Sequence, residues 1–392
     1  MKPPCEAALV IGAGLSGLAA SLALLRAGWK VHVFEQAAAL GEVGAGITLS
    51  PGACRGLASL GLEEALLAAS QPVPDIAFLH YRSGEVLTGT LHAGPPPDVG
   101  LAGPRHIHRA DLHAILLGAV RRQDPDCVAT AKRLIDVRHR GAAVVARFAD
   151  GTVREAPLLL AADGIRSSVR QTVFDASPAV FAGQVAFRCL IPANEAAPFL
   201  GGGSAAVFVG ASRIFNRYLV RRGTLLNVIG IAKSERWREE GWNTPATVAE
   251  FTEEFSGFHP DVLALIERAP PPHLIKWGLF VRPPLPDWSA GHVLLLGDAA
   301  HPVLPFLGLG AALAIEDGIV LARTLVSASD VPGAYQAFQR ARRERVEEVR
   351  LQSIHQGNII QAESPDRISV KRSPSQNRAL FDYDPSTAPI PA

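Results

Sequence analysis

Cysteine is scarce in this chain. Its four copies, Cys5, Cys54, Cys127 and Cys189, stand too far apart for a CxxC pair or a metal-ligand spacing. A disulfide framework and a zinc ribbon are thereby excluded, no metal site is expected, and a reducing compartment, the cytoplasm, is the plain reading. An excess of charge of either sign is also missing, with 38 Lys and Arg against 37 Asp and Glu. No overall field draws the protein to nucleic acid or to an acidic surface. The run "RARRERVEEVR" (Arg340 to Arg350) alternates in sign, as the wet face of a helix does. One stretch, Ala7 to Leu25, lacks charge over a length that suits a membrane span, but glycines interrupt it at Gly12, Gly14 and Gly17. It is followed by an amphipathic pattern and no signal-peptide cleavage site, so it reads as a buried strand and a buried helix. What remains is a globular composition, 48% hydrophobic and 19% charged, over 392 residues: two domains, or one with a large insertion.

The glycines have a context. Ala7 to Ile11 is a short apolar run, as expected of a strand covered on both faces, and Gly12-Ala-Gly14-Leu-Ser-Gly17 follows at once. Helical spacing runs from Leu18 to Leu25, Gly28 stops it, and Val31 to Phe34 is a second strand closed by Glu35, 23 residues after Gly12. Gly12 permits the tight turn, Gly14 lets the backbone approach a pyrophosphate, and Gly17 lets helix and strand pack closely. The helix N-terminus offers free N–H groups to phosphate, and Glu35 can accept both hydroxyls of an adenosine ribose. This is a dinucleotide site, and the fingerprint alone does not separate FAD from NAD.

Beyond it, the glycine-rich "GEVGAGITLSPGACRGLASLGL" (Gly41 to Leu62) departs from a simple βαβ repeat, as if passing close to an extended cofactor. Prolines bracket "IAFLHYRSGEVLTG", which reads as a hairpin laid over the core. Arg109 opens a helix, where an arginine disfavours the dipole and either reaches for an anion or lies on the surface. A buried strand, Leu158 to Ala161, ends at Asp163-Gly164, with Arg166 and Arg170 on the helix that follows. From Phe181 to about Ile275 alternating strands replace strand–helix alternation, and Thr244 and Pro245 cap and open a helix. Val293 to Leu296 is again a buried parallel strand, ending at Gly297-Asp298, where open α/β sheets bind ligands. The expected division is 1–72, 101–178 and 277–330 for the nucleotide domain, 73–100 for the hairpin, 179–276 for a second domain and 331–392 for a helical region with an extended tail.

In this order and spacing "GAGLSG", "AADGIRSSVR" and "LLLGDAAHPVLPFLGLGAALAIEDG" resemble the single-component FAD-dependent aromatic hydroxylases, the group of salicylate hydroxylase and 6-hydroxynicotinate 3-monooxygenase. The likeness runs from Ala7 to about Gln356. It implies an α/β fold: a Rossmann-like FAD-binding domain, an inserted mainly antiparallel β-sheet substrate domain and a helical C-terminal region. By the same resemblance Gly12, Gly14, Gly17 and Glu35 would hold the ADP half of FAD, and Arg109 would contact it near the phosphates and ribityl chain. Asp163 lies in the motif thought to serve FAD and the nicotinamide nucleotide, and Asp298 would bind a ribityl hydroxyl. The loop Pro305 to Gly310, with Gly308 in it, would run beside the isoalloxazine, Ile47 would also bind the cofactor, and Pro302 would shape the wall beside the flavin where substrate lies. His301 reads as a strand-end structural residue.

The pattern also departs from its relatives. They usually carry "GQG" where this chain has Gly308-Leu309-Gly310, and many have asparagine at the position of Gly52. Where they place a histidine and tyrosine facing the substrate, the nearest match here is Arg217 and Tyr218. A fixed cation suits a carboxylate substrate; phenol deprotonation would then fall to Tyr218, water or the substrate's own acidity. A surface position for Arg217 is the alternative. The implied cycle consumes NADH or NADPH and O₂, and hydroxylates an electron-rich aromatic acid through a flavin C4a-hydroperoxide. Other flavin chemistry on the same scaffold, or a non-catalytic redox sensor, stays open, as does a monomer or homodimer.

Overall fold

The computed structural model describes residues 7–41, 44–89, 98–175, 177–201, 203–235, 237, 244–365 and 374–391. A six-stranded sheet forms the centre of the first half. Its order is Ser289–Ala290, Val293–Leu295, Leu158–Ala161, Ala7–Ile11, Lys30–Phe34 and Val128–Ala129, all parallel except the Ser289–Ala290 edge. The inner strands are continuous apolar runs because both their faces are covered. Helices Leu15–Arg26, Arg109–Gln123 and Gly310–Ser327 pack together on one side. The antiparallel meander Leu134–Arg140, Ala143–Phe148 and Val153–Ala156 joins the same core, with Phe148 against Phe34.

The second half is an eight-stranded sheet in the order Thr244–Pro245, Ile275–Val281, Val180–Pro192, Leu225–Lys233, Arg213–Val220, Ala205–Gly210, Ala77–His80 and Val86–Thr88. The expected hairpin is therefore no separate cover. Its two strands extend this sheet at one edge, Ala77–His80 pairing in parallel with Ala205–Gly210, while residues 90–97 of that segment lie outside the described residues. Thr244–Pro245 is likewise strand, not the opening of a helix. Thr247 caps the helix Val248–Glu254, in a capping box with Glu250.

One face of this sheet packs Phe187 and Phe215 against helical Phe251 and Phe255. The other carries Ala186, Val207, Ile214 and Ile231 and meets Leu304 and Phe306 of the first half. A small sheet, Gly46–Leu49, Arg105–His108 and Ser70–Pro72, sits at the junction. Helix Val331–Ile360 follows, and after helix Pro374–Phe381 the chain returns across helix Pro51–Ser59. A Cβ on Gly52 would overlap the Tyr383 carbonyl oxygen. The tail's close approach thus explains why this position is glycine.

Candidate active site

Three parallel strands end side by side at Ile11, Ala161 and Leu295, and the turns beyond them build the site. Gly12 has φ +100°, donates its N–H to Phe34 O at 2.8 Å, and could not carry a Cβ, which would overlap Ala162 O. A Cβ on Gly17 would strike Gly12 O, so the helix start rests directly on the turn. Gly14 differs: nothing lies within 4 Å of where its Cβ would be. Turn and helix are thus closed at two glycines and open at the third.

Glu35 holds that turn from the next strand. Its Oε2 accepts from Ala13 N and its Oε1 from Ala37 N, both at 2.9 Å. Each oxygen keeps a lone pair for a further donor. His113 Nε2 lies 2.8 Å from Ala13 O, a buried brace that sequence reasoning missed.

Asp163 faces the second turn. Its Oδ2 accepts from Ser168 N at 2.8 Å, Ser168 Oγ at 3.1 Å and Val169 N at 3.3 Å, while its buried Oδ1 has no partner. Burial raises its pKa, against hydrogen bonds that pull it down. Asp298 lies on the third turn, Gly297–Ala299, open to solvent yet ringed by protein. Burial raises its pKa too, and the charges of His301 and Arg109 oppose the rise. Arg109 and Asp298 thus share one electrostatic neighbourhood, and Arg109 N is anchored on Ala45 O at 2.7 Å.

Buried ion pairs support these turns. Arg170, read from the sequence as lying on the helix after Asp163, is fully buried; it donates to Ala299 O and Ala300 O at the third turn and to Pro283 O. His301 Nε2 is 2.8 Å from Asp317 Oδ2, which also accepts from Gly297 N at 2.9 Å. Arg342, entirely buried, pairs with Asp317 at 2.9 Å and Glu316 at 2.8 Å. Burial pushes the Asp317 pKa up, but His301 and Arg342 bring it to about 2. His301 thus sits inside a structural network.

Pro302 is buried, Pro305 is exposed, and Gly308 turns the chain at φ +67° before helix Gly310–Ser327. Leu309 packs into the core, so its departure from the relatives' pattern alters packing behind the loop. Ile47 is half-buried on the small sheet that faces Tyr218 and Asn227 through Gly46.

The expected pair on the second sheet must be corrected. Arg217 and Tyr218 are neighbours on one strand, so they point to opposite faces. Tyr218 is on the junction side, stacked on His106 with ring centroids 4.1 Å apart. Burial raises its phenol pKa, against Thr48 and the charge of Arg188. Arg217 is on the helical side, where its Nη1 and Nη2 donate to Gly203 O and Leu200 O, each at 2.7 Å. Burial lowers its pKa to about 10. The junction face carries Asn216, Asn227, Ile229 and Arg188 instead, none of them singled out from the sequence. Strand alternation puts Asn216 on the same face as Tyr218, but which face meets the first half is set by register with partner strands.

These features fit FAD. The open glycine turn and Glu35 suit the ADP half, the Asp163 Oδ1 without a hydrogen bond can accept from a buried donor, and Asp298, at a strand end, would hold a ribityl hydroxyl. When bound, FAD would supply electron transfer and activation of O₂. The class defined by fold and turns is a flavin-dependent oxidoreductase with one dinucleotide fold and an inserted sheet.

Comparison with known proteins agrees. The family described as "FAD binding domain" matches residues 6–187 and 282–351. The chain is 36% identical to 6-hydroxynicotinate 3-monooxygenase of Pseudomonas fluorescens, over 87% of this chain and 88% of the relative. It is 32% identical to 3-hydroxybenzoate 6-hydroxylase of Polaromonas naphthalenivorans, over 92% and 89%. Among solved structures, Klebsiella pneumoniae HpxO complexed with FAD and uric acid superposes with a TM-score of 0.80 at 26% identity, covering 96% of this chain and 92% of that one. The chain belongs to this FAD-binding family, and it is an FAD-dependent monooxygenase of the aromatic hydroxylase group.

Proposed function

We propose that the protein hydroxylates an electron-rich aromatic or heteroaromatic acid, taking electrons from NADH or NADPH and oxygen from O₂. The observation that carries this reading is the packing of Leu304 and Phe306, on the loop that follows the Asp298 turn, against a mixed apolar and polar sheet face. That arrangement offers a flat ring an apolar wall, with Asn216 and Arg188 as polar contacts. The residues orient the ring and keep water from it; no protein nucleophile is needed. Only one glycine fingerprint is present, so the nicotinamide nucleotide would dock transiently on a composite surface. A cavity of about 240 Å³ beside Pro302 is lined by Arg282, Arg343 and Arg350, the last paired with Glu347 of the same wall, and its net positive charge suits phosphates.

The test is NADH and NADPH consumption by the FAD-loaded protein across hydroxybenzoates, aminobenzoates, hydroxypyridines and uncharged phenols, with oxygen uptake and product masses. Ring-stimulated turnover and a product heavier by one oxygen atom, with or without loss of CO₂, is the expected result. Consumption that no ring stimulates would defeat the reading.

A further inference from the structure

Near its end the chain carries a tyrosine ring that touches the supports of the FAD site. The ring centre of Tyr383 lies 5.0 Å from the Arg342 guanidinium and 5.1 Å from that of Arg345. Both arginines belong to helix Val331–Ile360, and both hold Glu316 of helix Gly310–Ser327, Arg342 at 2.8 Å and Arg345 at 3.1 Å. Among the described residues the buried Tyr383 hydroxyl makes no hydrogen bond. The ring face is therefore what this side chain brings to the cluster, a π surface against guanidinium cations.

Arg342 carries the contact inward. Its Nε donates to Asp317 Oδ1 at 2.9 Å, and the other oxygen of that carboxylate accepts from Gly297 N at 2.9 Å. Gly297 opens the Asp298 turn with φ +55°. A Cβ there would lie 2.8 Å from Ser16 Oγ, so the turn rests on the start of helix Leu15–Arg26, behind the glycine fingerprint. A continuous chain of contacts thus leads from the tail to both turns that receive FAD. The side chains of Arg342, Glu316 and Asp317 are wholly buried, whereas Tyr383 is half-buried, so the ring is a layer between these charges and solvent. Ion pairs kept this dry weaken when water reaches them.

The seat of the ring is shallow. Arg55 holds the chain on either side of it, donating from Nη2 to Asp382 O at 2.8 Å and lying 3.4 Å from Asp384 through Nε. The Arg55 and Asp384 side chains are 35% and 23% exposed, and a pair so wet contributes little. Seated and released tails are then states that a modest interaction can bias.

We propose that Tyr383 is a positioning residue for FAD: the seated ring keeps water from the Arg342–Asp317 pair, fixes the Asp298 turn and so tightens the cofactor. The coupling is reciprocal, and bound FAD holds the tail by the same factor as the tail holds FAD. The inference concerns cofactor retention and goes beyond the choice of substrate.

The test measures both directions on the full-length chain. The Kd of FAD for the apoprotein is read from the change in flavin fluorescence. Chymotryptic cleavage after Phe381, followed by the mass of the released end, is timed with and without FAD. In the unmodified protein FAD should slow this cut roughly 5- to 30-fold, the scale of a desolvated cation–π contact. Tyr383→Ala should weaken FAD by a similar factor and abolish the protection. Tyr383→Phe keeps the ring and should match the unmodified protein in both respects. Thermal midpoints of the apoproteins report folding, and should Tyr383→Ala not fold, the FAD dependence of cleavage in the unmodified protein decides alone. Cleavage indifferent to FAD would overturn the proposal. So would Tyr383→Ala that binds FAD as tightly as the unmodified protein, or Tyr383→Phe that fails alongside it.

Discussion

Both Nη groups of Arg217 end on backbone carbonyls, those of Gly203 and Leu200, and the side chain is almost wholly buried. Those carbonyls belong to an irregular turn, so the guanidinium supplies hydrogen bonds that a regular element would have made internally. Arg217→Met should leave Gly203 O without this donor and Leu200 O with Gly203 N alone, at a cost of about 1–3 kcal/mol. The expected outcome is a lower thermal midpoint with the Kd for hydroxybenzoate unchanged, read from the flavin absorbance of the FAD-loaded variant; a weakened Kd would put Arg217 back in the substrate site. Gly12, Gly17 and Glu35 were legible in the sequence because their constraints are local: a positive φ, a helix resting on a turn, a carboxylate reaching two nearby amides. Arg188 and Asn216 were not, because their facing depends on register with partner strands and on an irregularity between Phe181 and Val185. A run such as "FNRYLV" shows that a strand exists and alternates, but not which parity meets the cofactor domain.

At the scale of elements, the return of the chain end across helix Pro51–Ser59 explains several residues together. Gly52 and Gly56 leave the helix surface low enough for Tyr383 and Pro385 to lie on it. Arg55 bonds to Asp382 O and Asp384, and Arg323 bonds to Pro385 O. The Tyr383 ring stands about equally close to Arg342 and Arg345, 5.0 and 5.1 Å, and so closes over the ion pairs with Glu316 and Asp317. The tail is thus part of the wall around the network that holds the Asp298 turn. Its seat was not legible in the sequence, since nothing local ties residue 383 to residue 52. Gly52→Ala places a methyl group against a backbone carbonyl that has no rotamer to escape into, and should cost about 1–3 kcal/mol. The strain is relieved by displacing the tail, so limited proteolysis should cut faster after Phe381 in the variant than in the unmodified protein. An unaltered digestion course at equal thermal midpoint would show that the tail is not seated there.

Across the whole molecule, the two halves meet on a polar seam. Gly46 N donates to Asn227 Oδ1 at 2.7 Å, Gly223 N donates to Gln71 Oε1 at 3.0 Å, and Arg221 holds Asp111. At its centre the buried His106 ring stacks on Tyr218, with Nδ1 3.1 Å from Thr48 Oγ1. Burial lowers the His106 pKa to about 3, so the folded protein keeps this imidazole neutral while the unfolded chain protonates it near 6.5. The sign follows: above pH 6.5 neither state takes the proton, and below it the unfolded state binds one that the folded state refuses. Stability should therefore fall by up to about 1.4 kcal/mol per pH unit from near 6.5 toward 3, where the folded protein begins to accept the proton. His108 adds to the same slope, its pKa lowered by burial and by Arg221 and Arg188. Asp317 contributes only further down, between its ordinary 3.8 and about 2. His106→Phe keeps a ring against Tyr218 but cannot take a proton. Urea midpoints of unmodified protein and variant across pH 7.5 to 4.5 should converge as the pH falls, because the variant lacks one proton's worth of slope. Parallel curves would mean that acid loosens the molecule elsewhere, and that the seam joining cofactor and substrate halves is indifferent to pH.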